Sequence, residues 1–277
     1  MEYKIISDSS SNVFSLPGAD FASVPLKINA GGREYVDTPD LDVDGMIADL
    51  QQYRGRSGSS CPNVFDWTAA FGDAEGVFAV TISSNLSGSY SSAVQAGEEY
   101  IKAHPGRRFH VFDSLTAGPE MQLILERIRE GVQAGKDFDA IVGDVEEYRR
   151  HTYTLFCLKS MLNLARNGRV KPAVAKIAGV LGIQVVGDAS PQGTLQMLHK
   201  CRGERRALRS IISEMEGNGL SDGRVIISHC QNPEAAGRLR ENILEEHPGC
   251  EVEINACTAL CSFYAESGGL IIGYEGK

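Results

Sequence analysis

Along the 277 residues, short apolar runs alternate with longer stretches in which apolar positions recur every three or four residues. That alternation predicts strands and helices in βαβ order. Residues 3–7 (YKIIS) read as a strand that stops at Asp8-Ser9-Ser10-Ser11. Residues 23–28 (SVPLKI) read as a second strand, and 77–82 (VFAVTI) as a third. The third is apolar enough to be buried on both faces of a parallel sheet. A helix over 91–102, a strand at 109–112 and helices over 119–133 and 139–151 follow. Beyond about residue 160 the texture changes. A helix ends at Asn167-Gly168, 174–181 is apolar, 184–187 is a short strand and 188–193 (DASPQG) a turn. Helices at 201–216 and 233–246 then alternate with strands at 224–229, 251–256 and 270–274. The crossovers are shorter there, which predicts a mixed sheet.

The expected class is therefore α/β with two domains. Residues 1–160 form a parallel sheet flanked by helices, and 161–277 form a second α/β unit with a mixed sheet. Each N-terminal strand breaks into a polar, small-residue turn before the next helix. In open parallel sheets ligands lie at those carboxyl ends.

A net charge of −9 argues against a nucleic-acid or anionic-membrane binder, since both need a basic surface. The opening MEYKIISDSS has no apolar signal segment. No apolar run approaches the ~20 residues of a membrane helix, so no stable membrane insertion is expected. A cytoplasmic location is the expectation. The cysteines at 61, 157, 201, 230, 250, 257 and 261 contain no CxxC pair, and no histidine follows Cys257 and Cys261. They read as small buried side chains in a reducing compartment rather than metal ligands.

Chemistry concentrates in three turns. Residues 81–92 (TISSNLSGSYSS) carry eight hydroxyls and no charge, between a predicted strand and a helix. Residues 57–63 (SGSSCPN) and 113–118 (DSLTAG) are similar. The first has the layout of an anion cradle: Gly88 permits close backbone approach, the helix start offers free N–H groups, and serines add neutral donors. Helix capping by Ser87 or Ser89 accounts for the same residues. Neither G-x-x-x-x-G-K-[ST] nor G-x-G-x-x-G occurs, so a nucleotide is not the expected anion. Neutral donors suffice for a carboxylate.

A self-contained hydrolase is disfavoured. The nearest approach to G-x-S-x-G is AESGG at 265–269, where the serine precedes a strand instead of a helix. Of six histidines only His229, at a strand end, is placed as a base.

Taken together, these segments resemble the DegV family, whose members bind fatty acids. IISDSSS at 5–11, SSCPN at 59–63, ISSNLSGSYSSA at 82–93, VFDSLTAG at 111–118 and NGRV at 167–170 match its motifs in order. The resemblance implies two α/β domains with a long-chain fatty acid buried between them, and no cofactor. It also implies a partner fatty acid kinase, to which the bound acid is presented for conversion to an acyl phosphate. Carried over, the carboxylate falls to Ser59 or Ser60 and to Ser87 with the Gly88 backbone. The family's C-terminal histidine is replaced by Tyr264, which can donate a hydrogen bond but cannot become a cation near neutral pH. Candidates for the acyl pocket are Ile28, Phe65, Leu86, Leu115, Met121, Val174, Ile177, Leu181 and Leu260. Lys200, Arg202, Arg205, Arg206 and Arg209 read as a solvated basic helix face or a docking patch. Two rivals stand beside the lipid-binding reading: a serine-dependent esterase or phosphoryl-transfer enzyme using Ser87 or Ser267, and a regulatory scaffold with a vestigial pocket.

Overall fold

A computed structural model describes residues 2–178 and 182–277. In chain order the elements are β1 (Tyr3–Asp8), β2 (Asp20–Val24), β3 (Lys27–Ala30), β4 (Arg33–Val36), α1 (Val43–Gln52), β5 (Ser57–Ser60) and α2 (Val64–Phe71). Then come β6 (Gly76–Thr81), α3 (Ser89–Ala103), β7 (Arg108–Asp113), α4 (Pro119–Gln133), α5 (Phe138–Tyr148) and β8 (Thr152–Leu158). The remainder is α6 (Leu162–Arg166), α7 (Pro172–Ala178), β9 (Ile183–Ala189), β10 (Leu195–Arg202), α8 (Glu204–Gly217), β11 (Gly223–His229), α9 (Pro233–Glu246), β12 (Cys250–Ala256), α10 (Ala259–Ala265) and β13 (Leu270–Glu275).

Strands β2-β1-β6-β7 make a wholly parallel sheet. All six residues of its inner strand β6 (GVFAVT) are buried, as expected where helices cover both faces. One face packs Ile6, Val77 and Ala79 on α2 and α3 through Trp67, Phe71 and Ala96. The other packs Ile5, Phe78 and Val80 on α4 and α5 through Ile124, Ile128 and Ile141. A six-stranded mixed sheet, β10-β9-β8-β13-β11-β12, pairs antiparallel except at β11–β12. Strand period 2 sorts its side chains: Leu155 and Cys157 join the core under α8 and α9, while Phe156 and Leu158 face the other way. A third sheet, β4-β3-β5, lies with α1 and α10 on that second face.

Helix α4 is shared between the two large sheets. A β-carbon on Gly273 of β13 would lie 2.3 Å from the Glu120 nitrogen, so only glycine lets α4 approach this closely. Its first turn is thereby pinned against β13, and the preceding loop faces the mixed sheet.

Several expectations are corrected. The 23–28 run is two strands in different sheets, because Pro25 has no N–H for a ladder. Cys201 and Arg202 end β10, and Gly203 (φ +83°) separates them from α8. Of the basic stretch, Lys200 and Arg202 therefore sit on a strand and Arg205, Arg206 and Arg209 on a helix. The unforeseen β8 pairs with β9 and β13 in the mixed sheet. Residues 259–265, to which the sequence reading assigns no element, form α10.

Candidate functional site

The carboxyl ends of β1, β6 and β7 release the loops that the sequence singles out, and one buried acid organises them. Asp8 ends β1 and is fully buried. It accepts hydrogen bonds from the Ile82 nitrogen (3.0 Å), the Ser10 nitrogen (3.3 Å), Ser89 Oγ (2.6 Å) and Ser10 Oγ. Burial holds its carboxyl above the usual range, against these donors. Ser83 donates to the Gly193 carbonyl at 2.7 Å, and Asn85 Nδ2 to the Gln192 carbonyl at 2.7 Å. The serine-rich loop is thus stapled at one end to β1 and at the other to the β9–β10 turn. Ser83 and Ser89 are consumed by these contacts.

What remains for a ligand is smaller. Ser87 Oγ accepts from the Ser89 N–H at 3.3 Å, which leaves its hydroxyl hydrogen uncommitted. Gly88, exposed, caps α3 without a side-chain bond, so backbone N–H groups of the first turn keep their capacity. A β-carbon on Gly88 would sit 3.2 Å from Cys61 Sγ, so this turn abuts the segment that follows β5.

On β5, pairing Ser59 with Ile28 and Ser60 with Lys27 sends the two serines to opposite faces. Ser59 Oγ lies 2.7 Å from the Tyr264 hydroxyl. Ser60 is exposed and meets Asn29 Nδ2 at 3.4 Å. Ser59, Ser87, Gly88 and Tyr264 thus belong to converging segments, with Ser60 turned away.

Tyr264 is carried by α10, whose start is anchored on another buried acid. Asp37 accepts from the Ala259 and Leu260 nitrogens (2.9 and 3.1 Å) and from Thr258 Oγ1 (3.3 Å). Burial raises its carboxyl too, opposed by those bonds. The Tyr264 ring packs edge-on to Phe263, with centroids 4.8 Å apart, and the Arg169 guanidinium lies 5.6 Å from its centroid. Arg169 is oriented by bonds to the Leu86 carbonyl (Nε, 3.1 Å) and the Asn167 carbonyl (Nη1, 2.6 Å).

Behind Tyr264 lies a narrow cavity of about 80 Å³ whose mouth opens to solvent. Its wall is mostly apolar: Ile82, Leu86, Phe156, Leu164, Leu260 and Ile271 are representative. Thr154, Phe156 and Leu158 line it successively along β8, a run of ~13 Å at 3.3 Å per residue. Thr116 and Thr154, 2.6 Å apart, supply its hydroxyls besides Tyr264.

Of the pocket candidates, Leu86 and Leu260 line this cavity. Phe65 is 78% exposed in the first turn of α2. Ile28 and Met121 are fully buried core, Met121 Sδ lying 3.3 Å from Ser10 Oγ. Leu115 (φ +57°) lines a separate polar cleft with Glu120 and Ser190. Val174 packs on the small-sheet core. The Ile177 side chain and Leu181 lie outside the described residues. Sequence reasoning missed Arg169 as a wall of the site, although its NGRV turn was in view, and missed Phe156 because β8 was not foreseen.

Ser267 is exposed in a turn leading into β13, not a helix. His229 Nδ1 faces the Asn232 N–H at 3.4 Å, outside the cavity lining. Among the described residues no group of three or more His, Cys, Asp or Glu is placed to hold a metal ion, and no helix is long and apolar enough to cross a membrane.

The fold has known counterparts. A DegV-domain-containing protein of Streptococcus pneumoniae is 37% identical over 279 residues, covering 99% of each chain. A DegV family protein from Eubacterium eligens, loaded with heptadecanoic acid, superposes with a TM-score of 0.97 at 37% identity, over 99% of this chain and 100% of that one. The Streptococcus pneumoniae Fatty Acid Kinase (Fak) B3 protein, loaded with linoleic acid, gives 0.98 at 37% identity over the whole of both. The family profile described as "Uncharacterised protein, DegV family" matches residues 2–277. With strand order, hydroxyl loops and full-length similarity in agreement, this chain belongs to the DegV family.

Proposed function

We propose that this protein binds one long-chain fatty acid, with its tail in the cavity behind Tyr264 and its carboxylate at the mouth. The observation that carries the reading is the Ser59–Tyr264 pair, 2.7 Å apart, where Tyr264 forms part of the wall of a mostly apolar cavity. One hydrogen of that pair is used between the two oxygens, and the other can point at a carboxylate oxygen. Ser87 and the Gly88 turn stand ready from the neighbouring loop. Ser59 rather than Ser60 takes the motif's role, on strand direction. The solved relatives described as loaded with heptadecanoic and linoleic acids support the ligand class.

Energetically the tail dominates. Each buried CH₂ contributes ~0.8 kcal/mol, so a chain of about sixteen carbons far outweighs two or three charge-assisted hydrogen bonds at ~1.5–3 kcal/mol each. The hydroxyls set orientation and hold the carboxylate at the open end. That suits presentation to a fatty acid kinase, which would supply the ATP chemistry, and the kinase name of the pneumococcal relative supports such a partner. The domain division proposed is an N-terminal unit holding the head-group loops and a C-terminal unit covering the chain.

The test is native mass spectrometry of freshly purified protein, followed by solvent extraction. A single bound species with the mass of a long-chain acid is expected. Protein that purifies empty and takes up no acid on incubation would remove the proposal.

A further inference from the structure

At the end away from Tyr264 the apolar cavity is closed by a wall one side chain thick. Thr116, from the loop after β7, and Thr154, from β8, both line it. On the other side of Thr154 lies the polar cleft of Leu115, Glu120 and Ser190, to which Arg149 and Asp188 also contribute. Thr154 and Ala189 line the cavity and the cleft alike. A hydrocarbon-lined space and a polar one are thus parted at the contact of two buried hydroxyls, Thr116 Oγ1 and Thr154 Oγ1, 2.6 Å apart.

The order of residues along β8 gives the path of a chain. Leu158 packs in one cluster with Leu164 and Tyr264, on the side of the mouth. Phe156 and then Thr154 follow on the same face, so a tail that enters past Tyr264 and runs along β8 meets the threonines last. Both are firmly held. Thr154 pairs with Gly273 of β13, the residue against which α4 is pinned. The Thr116 carbonyl accepts from the Ser83 N–H at 2.9 Å and from Ser114 Oγ at 3.2 Å, and the Thr116 N–H donates to Ser114 Oγ at 3.2 Å.

Within the cavity each further CH₂ of a tail improves Kd by about fourfold. A tail too long for it must separate the two hydroxyls and leave them unpaired in a buried place, which is costly. Its last carbons would then lie among the carboxyl and guanidinium groups of the cleft, where no apolar burial rewards them. Two valines would present the same shape without the hydrogen bond that ties this loop of the parallel sheet to a strand of the mixed sheet.

We propose that Thr116 and Thr154 are the end stop of the acyl cavity and set the longest chain that the protein accepts. The inference rests on the fatty-acid reading and adds to it the residues that select among acids by length.

The experiment measures competition of saturated acids, from laurate to behenate, against a fluorescent fatty acid on delipidated protein. Wild-type affinity should climb by about fourfold per CH₂ to a maximum and fall for longer acids. Thr116→Ala/Thr154→Ala opens the wall, so its maximum should move by about two carbons or more toward longer acids, with the shortest acids within about threefold of wild type. Ala189→Leu fills the same end and leaves the threonine pair in place; its maximum should move toward shorter acids. A thermal melt checks that each variant is folded, and if the double variant is not, Ala189→Leu decides alone. Maxima that stay at the wild-type length in folded variants overturn the end stop and leave the fatty-acid reading standing. So does wild-type affinity that continues to climb through behenate. If wild type binds none of the acids, the fatty-acid reading fails and the end stop with it.

Discussion

Replacing Tyr264 by phenylalanine isolates the head-group interaction. The ring keeps its contacts with Phe263 and beneath Arg169, so the change removes one oxygen and no packing. In the free protein Ser59 Oγ loses its 2.7 Å partner. Both residues are half-buried, so water replaces the lost hydroxyl and stability should fall by less than ~1 kcal/mol. In the complex the lost bond is to a charged carboxylate, worth ~1.5–3 kcal/mol, which is roughly a ten- to 150-fold weaker Kd. Titration of a fluorescent fatty acid into delipidated protein reads this directly, with a thermal melt as control. Tyr264→His should recover part of the affinity, because an imidazolium can also donate. Its folded pKa would be raised by the bound carboxylate, so the recovery is present below about pH 6.5 and lost as pH rises through the raised value. Tyr264→Phe binding within twofold of wild type, with the melt unchanged, would refute the head-group assignment.

Three further outcomes follow from the packing. Ala117 lines the apolar cavity, so Ala117→Phe places a ring there and should abolish acyl retention in the mass-spectrometric assay while the protein stays folded; retained lipid would mean that the chain lies elsewhere. Gly193→Ala should cost at least ~2 kcal/mol in denaturant melts, since Gly193 has φ +72° and a β-carbon would fall 2.2 Å from Ser83 Oγ. Glu120 is fully buried, with burial raising its carboxyl above 4.5 against the Thr154, Thr116 and Thr152 hydroxyls. Its contribution to stability is complete below about pH 4.5 and is lost as pH rises through the raised folded value. Glu120→Gln should flatten the stability profile over that window, and an unchanged slope would mean that Glu120 does not titrate there.

Legibility in the sequence divides by the range of the interaction responsible. Strands such as β6 and helices such as α4 and α9 could be read almost to the residue, because burial of their own side chains sets them. What was illegible depended on partners far along the chain. Eight hydroxyls at 81–92 look alike in sequence, yet Ser89 is taken by Asp8, 81 residues away, and Ser83 by Gly193, 110 residues away. The choice between Ser59 and Ser60 is a question of strand register against β3, which no local pattern specifies. Helix α10 has only seven residues, too few for periodicity to separate from a turn, and its start is held by Asp37. Phe65 misled because an aromatic beside a binding motif is ambiguous until the N-cap at Asn63 orients its helix. The same logic explains Arg169. Its turn was recognisable, but a guanidinium lying over Tyr264 requires α6 and α10 to meet, and they are joined by Asn163 Nδ2 donating to the Phe263 carbonyl at 2.8 Å. Asn163→Ala should therefore weaken fatty-acid binding without touching the ligand, by releasing the turn that carries Arg169 from the helix that carries Tyr264. If affinity and the Tyr264→Phe effect both survive that change, the two residues do not act as a unit.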